Sequence, residues 1–167
     1  MTSANVIEIE ESEFMDTTET IPCCDVRMPA GLLGFEHMKD YLLIAKPGEA
    51  PFHWLQVKNN PALAFVVIEP VYFMPDYQPD IPQADVNFLG LSSPDDAAVY
   101  VIVTVGGPRH ATANLKGPIV INRNTGLAKQ VVIYSPSYAV RQGPLGWTQE
   151  QVPVALVAQR SRISARG

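Results

Sequence analysis

The sequence predicts a mainly β fold: a single small β-barrel of about eight short strands with one or two short helices. Three observations lead there. Fifteen prolines and eleven glycines divide 167 residues into short pieces, and prolines interrupt the hydrogen-bond ladder of long helices. The apolar runs, such as Ala64 to Glu69 and Ala97 to Val105, have strand length and are rich in β-branched residues. Between two such runs, Asn122-Arg123-Asn124-Thr125-Gly126 reads as a hairpin loop, because Asn and Gly tolerate positive φ.

Along the chain, Val6-Ile7-Glu8-Ile9-Glu10 alternates like a strand inside an acidic, partly ordered arm, residues 1–20. Val26-Arg27-Met28 is a short strand that stops at Pro29, and Ala30-Gly31-Leu32-Leu33-Gly34 follows as a tight apolar loop. Phe35 to Asp40 reads as one helical turn, and Tyr41 to Lys46 as a strand ended by Pro47-Gly48. Phe52 to Val57 is the next strand, with Phe52, Trp54 and Gln56 on one face, and Asn59-Asn60-Pro61 breaks it. Ala64 to Glu69, continuously apolar until its last residue, should be buried on both faces. Val71 to Tyr77 has a proline at each end, which rules out a central strand and leaves an edge strand or a loop. Ile81 to Gly90 reads as a short helix with Pro82 in its first turn and Gly90 as C-cap, followed by an Asx-type loop at Ser92 to Asp96. Ala97 to Val105, Ala111 to Leu115, Pro118 to Asn122 and Leu127 to Tyr134 supply the remaining strands. Residues 21–145 form the expected barrel domain. Residues 146–167, with a last element at Val152 to Gln159, form a flexible C-terminal tail.

Composition narrows function by exclusion. Apolar residues make up 47% and charged residues 17%, which suits a packed globule. The uncharged apolar runs are far shorter than the roughly 20 residues of a membrane crossing, and no basic-then-apolar leader opens the chain. A cytoplasmic protein is expected. The net charge is −5. Seven acids (Glu8, Glu10, Glu11, Glu13, Asp16, Glu19, Asp25) and no Lys or Arg precede Val26, whereas Arg141, Arg160, Arg162 and Arg166 face Glu150 alone at the other end. The acidic start suits a basic protein partner or, equally simply, a solvated terminus; it repels nucleic acid.

No pattern points to catalysis. His37, His53 and His110 stand far apart without acidic or cysteine neighbours at metal spacing, so no metal and no cofactor is expected. The chain contains no nucleophile elbow, Walker loop or dinucleotide fingerprint. Gly31-Leu32-Leu33-Gly34 is too apolar to cradle a phosphate. Asp95-Asp96 after Pro94 reads as turn capping. Cys23 and Cys24 are adjacent, a poor arrangement for a disulfide, and are read as two reduced thiols, one buried and one half exposed. A hydrolase would need one of them beside a histidine. The expected class is a binding protein and not an enzyme.

The segment that invites a partner is Val71 to Asp80. Its aromatics Tyr72, Phe73 and Tyr77 stand among Asp76 and Asp80, the wrong sign for single-stranded nucleic acid. They either plug the end of the barrel or present a contact surface. Alternate residues can do each.

Several segments resemble the FliW family of flagellar assembly factors. They are Pro29-x-Gly31-Leu32-x-Gly34-Phe35-Glu36, Pro51-Phe52-x-Trp54-Leu55-Gln56, Asn60-Pro61-x-Leu63-Ala64-Phe65, Phe73-x-Pro75-Asp76-Tyr77, Leu91-x-Ser93-Pro94-Asp95-Asp96 and Thr112-Ala113-Asn114-Leu115-x-x-Pro118-Ile119-Val120-Ile121-Asn122, then Lys129-Gln130-Val131-Val132. The resemblance runs from about Val26 to about Leu145. It loosens at Tyr138 to Leu145, and the acidic lead and the tail from Gly146 depart from the pattern. The resemblance implies a monomeric, non-enzymatic β-barrel with two protein partners, flagellin and the RNA-binding translational regulator CsrA, coupling flagellin synthesis to assembly without touching nucleic acid or membrane itself. The interface residues singled out are Phe73, Pro75, Asp76, Tyr77 and Arg141. The other function class kept open is a small-ligand-binding barrel, which requires a concave apolar pocket with a few convergent polar groups.

Overall fold

The computed structural model describes residues 4–8, 20–105 and 111–140. Its strands are β1 (Ala4–Glu8), β2 (Thr20–Arg27), β3 (Asp40–Ile44), β4 (Phe52–Val57), β5 (Asn60–Ile68), β6 (Ala97–Val105), β7 (Ala111–Ala113), β8 (Ile119–Asn122) and β9 (Ala128–Gln130). One helix, α1 (Gln83–Leu89), and two short 3-10 turns (Pro70–Tyr72 and Pro94–Asp96) complete the set. Every strand pair is antiparallel, in the order β1-β2-β3-β4-β5-β6-β8-β9, with β7 added on β6. The sheet curls until the two sides touch. Arg27 at the end of β2 forms a parallel bridge with Leu127, and its amide donates to the Gly126 carbonyl at 3.0 Å. The barrel-like β fold is the expected one, with β1 in the acidic arm bringing the strands among the described residues to nine.

Three apolar clusters hold it. The inside of the curl is filled from seven strands by Val26, Tyr41, Leu55, Phe65, Tyr100, Ile121 and Ala128, which the register places on one face. The glycine loop enters this interior. Leu32 is buried there, and Phe35 meets the Phe65 ring edge-on, with centroids 5.1 Å apart. Full burial of such a side chain contributes about 1.5–3 kcal/mol. The opposite face of β2 to β6 carries Ile44, Trp54, Val66, Ile68, Val101 and Val103, covered by Leu115, Tyr77 and Tyr138. The third cluster joins Leu89 of α1 to Val120, Val131 and Ile133. Both faces of the central sheet are therefore packed, which explains why Leu63 to Ile68 is buried without alternation.

Local chemistry explains most boundaries. α1 ends where Gly90 adopts φ 68° and donates to the Val86 and Asn87 carbonyls; Pro82 is its N-cap residue. Ser93 caps the second 3-10 turn, and the Asp96 carboxylate accepts from the Ser92 and Ser93 amides at 3.0 and 3.1 Å. Those amide bonds hold the Asp96 carboxyl below its ordinary range, so Asp96 caps the turn while the Asp95 amide donates to the Ser93 hydroxyl.

Two expectations need correction, and one open choice is decided. Phe35 to Asp40 is not a helical turn. Leu32–Phe35 and Phe35–Met38 are successive tight turns, because Gly34 at φ 89° leaves the helical region and its amide is held by the Glu36 carboxylate at 2.9 Å. Of the two forms open to Val71–Tyr77, the loop is found, entered through the 3-10 turn at Pro70–Tyr72. The strand expected over Leu127 to Tyr134 is regular only at Ala128–Gln130, although Val131 and Ile133 still donate to the Pro118 and Lys116 carbonyls at 2.8 and 2.9 Å. The last element expected at Val152 to Gln159 lies outside the described residues.

His53 on β4 places its ring edge-on to Tyr100 at 5.3 Å. Burial holds its imidazole below its ordinary range, while the Pro51 carbonyl and the Glu69 carboxylate pull the other way. As pH falls through about 6.5 the imidazole of the unfolded chain takes up a proton before the folded one does, so protons favour unfolding. The urea midpoint should therefore drop between pH 7.5 and 5.5, and His53→Phe should flatten that part of the profile. An unchanged slope in the variant would assign the pH dependence to other groups.

Candidate functional site

The loop from Pro70 to Asp80 lies against the outer cluster and is fixed at three points. The Phe73 and Met74 amides donate to the Pro70 carbonyl at 3.1 and 2.7 Å, which closes the first turn. Tyr77 turns inward. It is 9% exposed, and its hydroxyl donates to the Leu115 carbonyl at 2.7 Å. Its ring meets Tyr138 edge-on, with centroids 4.7 Å apart at 71°, and the Tyr138 hydroxyl accepts from the Gln78 amide at 3.1 Å. Burial pushes the Tyr77 hydroxyl pKa well up, so it remains a donor throughout the physiological range.

Around these anchors the loop divides into a supporting set and a displayed set. Phe73 and Met74 are partly buried and pack on the outer cluster. Val71 and Tyr72 are displayed, at 56% and 59% exposure, and Pro75 and Asp76 are also exposed. The structure thus places four of the sequence-derived site residues on one loop: Phe73 and Tyr77 toward the core, Pro75 and Asp76 toward solvent. Arg141, one residue beyond Val140, lies outside the described residues. The role of Tyr138 was missed at the sequence level. It stands sixty positions from Gln78 and reaches it only because the chain after β9 folds back, with the Leu115 amide donating to the Ala139 carbonyl at 2.9 Å. The turn at Ser135–Tyr138 therefore adjoins the aromatic loop and adds Tyr134 and Val140 to the exposed apolar residues of this region.

Elsewhere the chemistry is sparse. Cys23 is buried in the outer cluster, and burial, with Cys24 and Asp25 nearby, raises its thiol pKa. That is the reverse of a nucleophilic cysteine. Cys24 is half-buried and free. A depression of about 340 Å³ is lined by His37, Met38, Lys39, Asp40, Val57, Asn59 and Asn60, a mixed polar and apolar lining.

A profile of the FliW protein family matches residues 5–144, which extends the resemblance back from Val26 into the β1–β2 pair. The chain is 40% identical over 119 residues to the flagellar assembly factor FliW of Leptospira biflexa, covering 70% of this chain and 78% of that protein. It is 37% identical over 137 residues to the FliW of Moorella thermoacetica, covering 81% and 86%. A crystal structure of the flagellar assembly factor FliW superposes with a TM-score of 0.67 at 35% identity, covering 88% of this chain and 91% of the other. With its curled antiparallel sheet and the segments Pro29 to Glu36, Phe73 to Tyr77 and Leu91 to Asp96 in their family order, the chain belongs to the FliW family of flagellar assembly factors.

Proposed function

We propose that this protein acts in the cytoplasm as a stoichiometric, non-enzymatic regulator that binds flagellin and CsrA, and that the Pro70–Asp80 loop carries a contact surface. The observation that supports the surface is the division within the loop. Tyr77 and Tyr138 lock its backbone, and Val71, Tyr72, Pro75 and Asp76 are presented on it. A rigid aromatic displayed on a fixed loop loses little entropy on binding, which is what makes such residues anchors. Asp76 and Asp80 bias the surface toward basic partners, and an acidic body beside an RNA binder opposes RNA electrostatically. Phe73, partly buried on the outer cluster, supports the loop, and Arg141 is proposed as a further contact residue.

Titration calorimetry with purified flagellin and with CsrA tests this reading. At least one should bind with micromolar affinity or better, and Tyr72→Ala or Asp76→Lys should weaken that binding by about 2 kcal/mol, roughly 30-fold, with an unchanged melting temperature. Binding of both proteins that is indifferent to Tyr72, Phe73 and Asp76 would move the interface elsewhere. No binding to either would remove the proposed function.

A further inference from the structure

We propose that the mouth of the curl beside Tyr72, where His53, Glu69 and Tyr100 meet, is a subsite for a basic side chain of a protein partner. It extends the contact surface of the Pro70–Asp80 loop and rests on that reading. Strand parity brings the three residues together. His53 pairs with Val67, and so shares the inner face with Leu55, Phe65 and Val67. Tyr100 lies on the same face, and its ring meets the imidazole edge-on. Val67 faces Ile102 and Ile68 faces Val101, so the next step in the register sets Glu69 opposite Tyr100, again on the inner side. Glu69 is also the N-cap residue of the turn that displays Tyr72. Cys24 of β2, Tyr72 and Arg123, just beyond β8, stand close enough to act on Tyr100 as well.

The polar groups at this mouth lack partners. Tyr100 is only 8% exposed, yet its hydroxyl makes no hydrogen bond among the described residues. His53 Nδ1 is buried and unpaired as well. The half-buried Glu69 carboxylate enters no ion pair or hydrogen bond among the described residues. Unpaired buried polar groups are rare, and several at one mouth call for a partner from outside. Lysine and arginine bring donors and no acceptor, and their apolar stems can lie along an aromatic ring such as that of Tyr72. Charge selects the same ligand. Burial holds the His53 imidazole down, and burial with Glu69 pushes the Tyr100 hydroxyl up to about 12, so both stay neutral at pH 7.5 and Glu69 keeps its charge uncompensated by them. Arg123 is exposed and acts on Tyr100 less than Glu69 does. β1 ends at Glu8 and β2 begins at Thr20 at this same end of the sheet. The residues joining them include Glu10, Glu11, Glu13, Asp16 and Glu19 and no Lys or Arg, which draws a basic partner toward the mouth.

Titration calorimetry of flagellin and of CsrA with the full chain tests the subsite. Glu69→Gln keeps the shape and removes the charge, and should weaken whichever protein binds by at least about 10-fold. Tyr100→Phe should weaken it by about 3-fold. Asp40→Asn removes the same charge at the opposite end of the strands and should change the affinity by less than about 2-fold. If Glu69→Gln impairs folding, Tyr100→Phe decides. Binding of wild-type strength in Glu69→Gln, with Tyr72→Ala still disruptive, overturns the subsite and leaves the loop surface standing. An equal loss in Asp40→Asn also overturns it, because net charge alone would then attract the partner. If neither protein binds the wild type, the loop reading fails and an oligo-arginine peptide becomes the probe. Its affinity must fall in Glu69→Gln and hold in Asp40→Asn; any other result overturns the subsite.

Discussion

Tyr77→Ala should lower the unfolding free energy by about 3–5 kcal/mol, as large-to-small changes at buried aromatics do. The ring is wedged between the outer cluster and Tyr138, and its hydroxyl supplies the Leu115 carbonyl. Removal opens a cavity and leaves that carbonyl without its donor. Tyr77→Phe separates the two effects. It keeps the ring, unpairs the carbonyl and should cost about 1–3 kcal/mol. Urea denaturation read by tryptophan fluorescence measures both, since Trp54 lies in the same cluster. Near-wild-type stability for Tyr77→Ala would mean that the loop folds onto the sheet without this anchor, and Tyr77 would return to the list of contact residues. Tyr72→Ala is the internal comparison: an exposed residue whose loss should change stability by less than about 0.5 kcal/mol.

That contrast marks how far the sequence could be read. Strands were legible where the pattern was long and apolar: Phe52–Val57 and Ala97–Val105 run as expected, and Gly90 and Ser93 punctuate as their chemistry dictates. The glycine loop was recognised, but its continuation was misread as a helical turn. The Glu36 carboxylate closing on the Gly34 amide is a side-chain choice that periodicity does not encode. Within Val71 to Asp80 the sequence identified the segment but not which aromatic faces inward. In an irregular loop neither the two-residue nor the 3.6-residue repeat assigns a face. The decision is made by Leu115 and Tyr138, which are remote in sequence and contribute a carbonyl and a ring. A lone tyrosine in a serine-proline turn carries no local sign of such a role.

Gly31→Ala should be costly for a different reason, by more than about 2 kcal/mol. Gly31 has φ 67°, in the left-handed region, and a Cβ built there would lie 2.6 Å from both the Cα and the carbonyl oxygen of Glu36. Backbone atoms cannot swing away as a side-chain tip can. Relief requires shifting the Leu32–Met38 turns, and with them the buried Leu32 and the Phe35–Phe65 contact that fill the inside of the curl. Gly48 is the control, since it has a similar φ of 78° but nothing within 4 Å of its virtual Cβ. Gly48→Ala should show only the left-handed penalty of about 1–2 kcal/mol, and the excess at Gly31 measures the close approach itself. Equal losses at the two sites would show that the Glu36 backbone yields freely, and that the glycine of the Pro-x-Gly-Leu segment is required for its turn alone. A clear excess would make that glycine the point where the loop is pressed onto its own returning turn at Glu36, which is what drives Leu32 into the barrel.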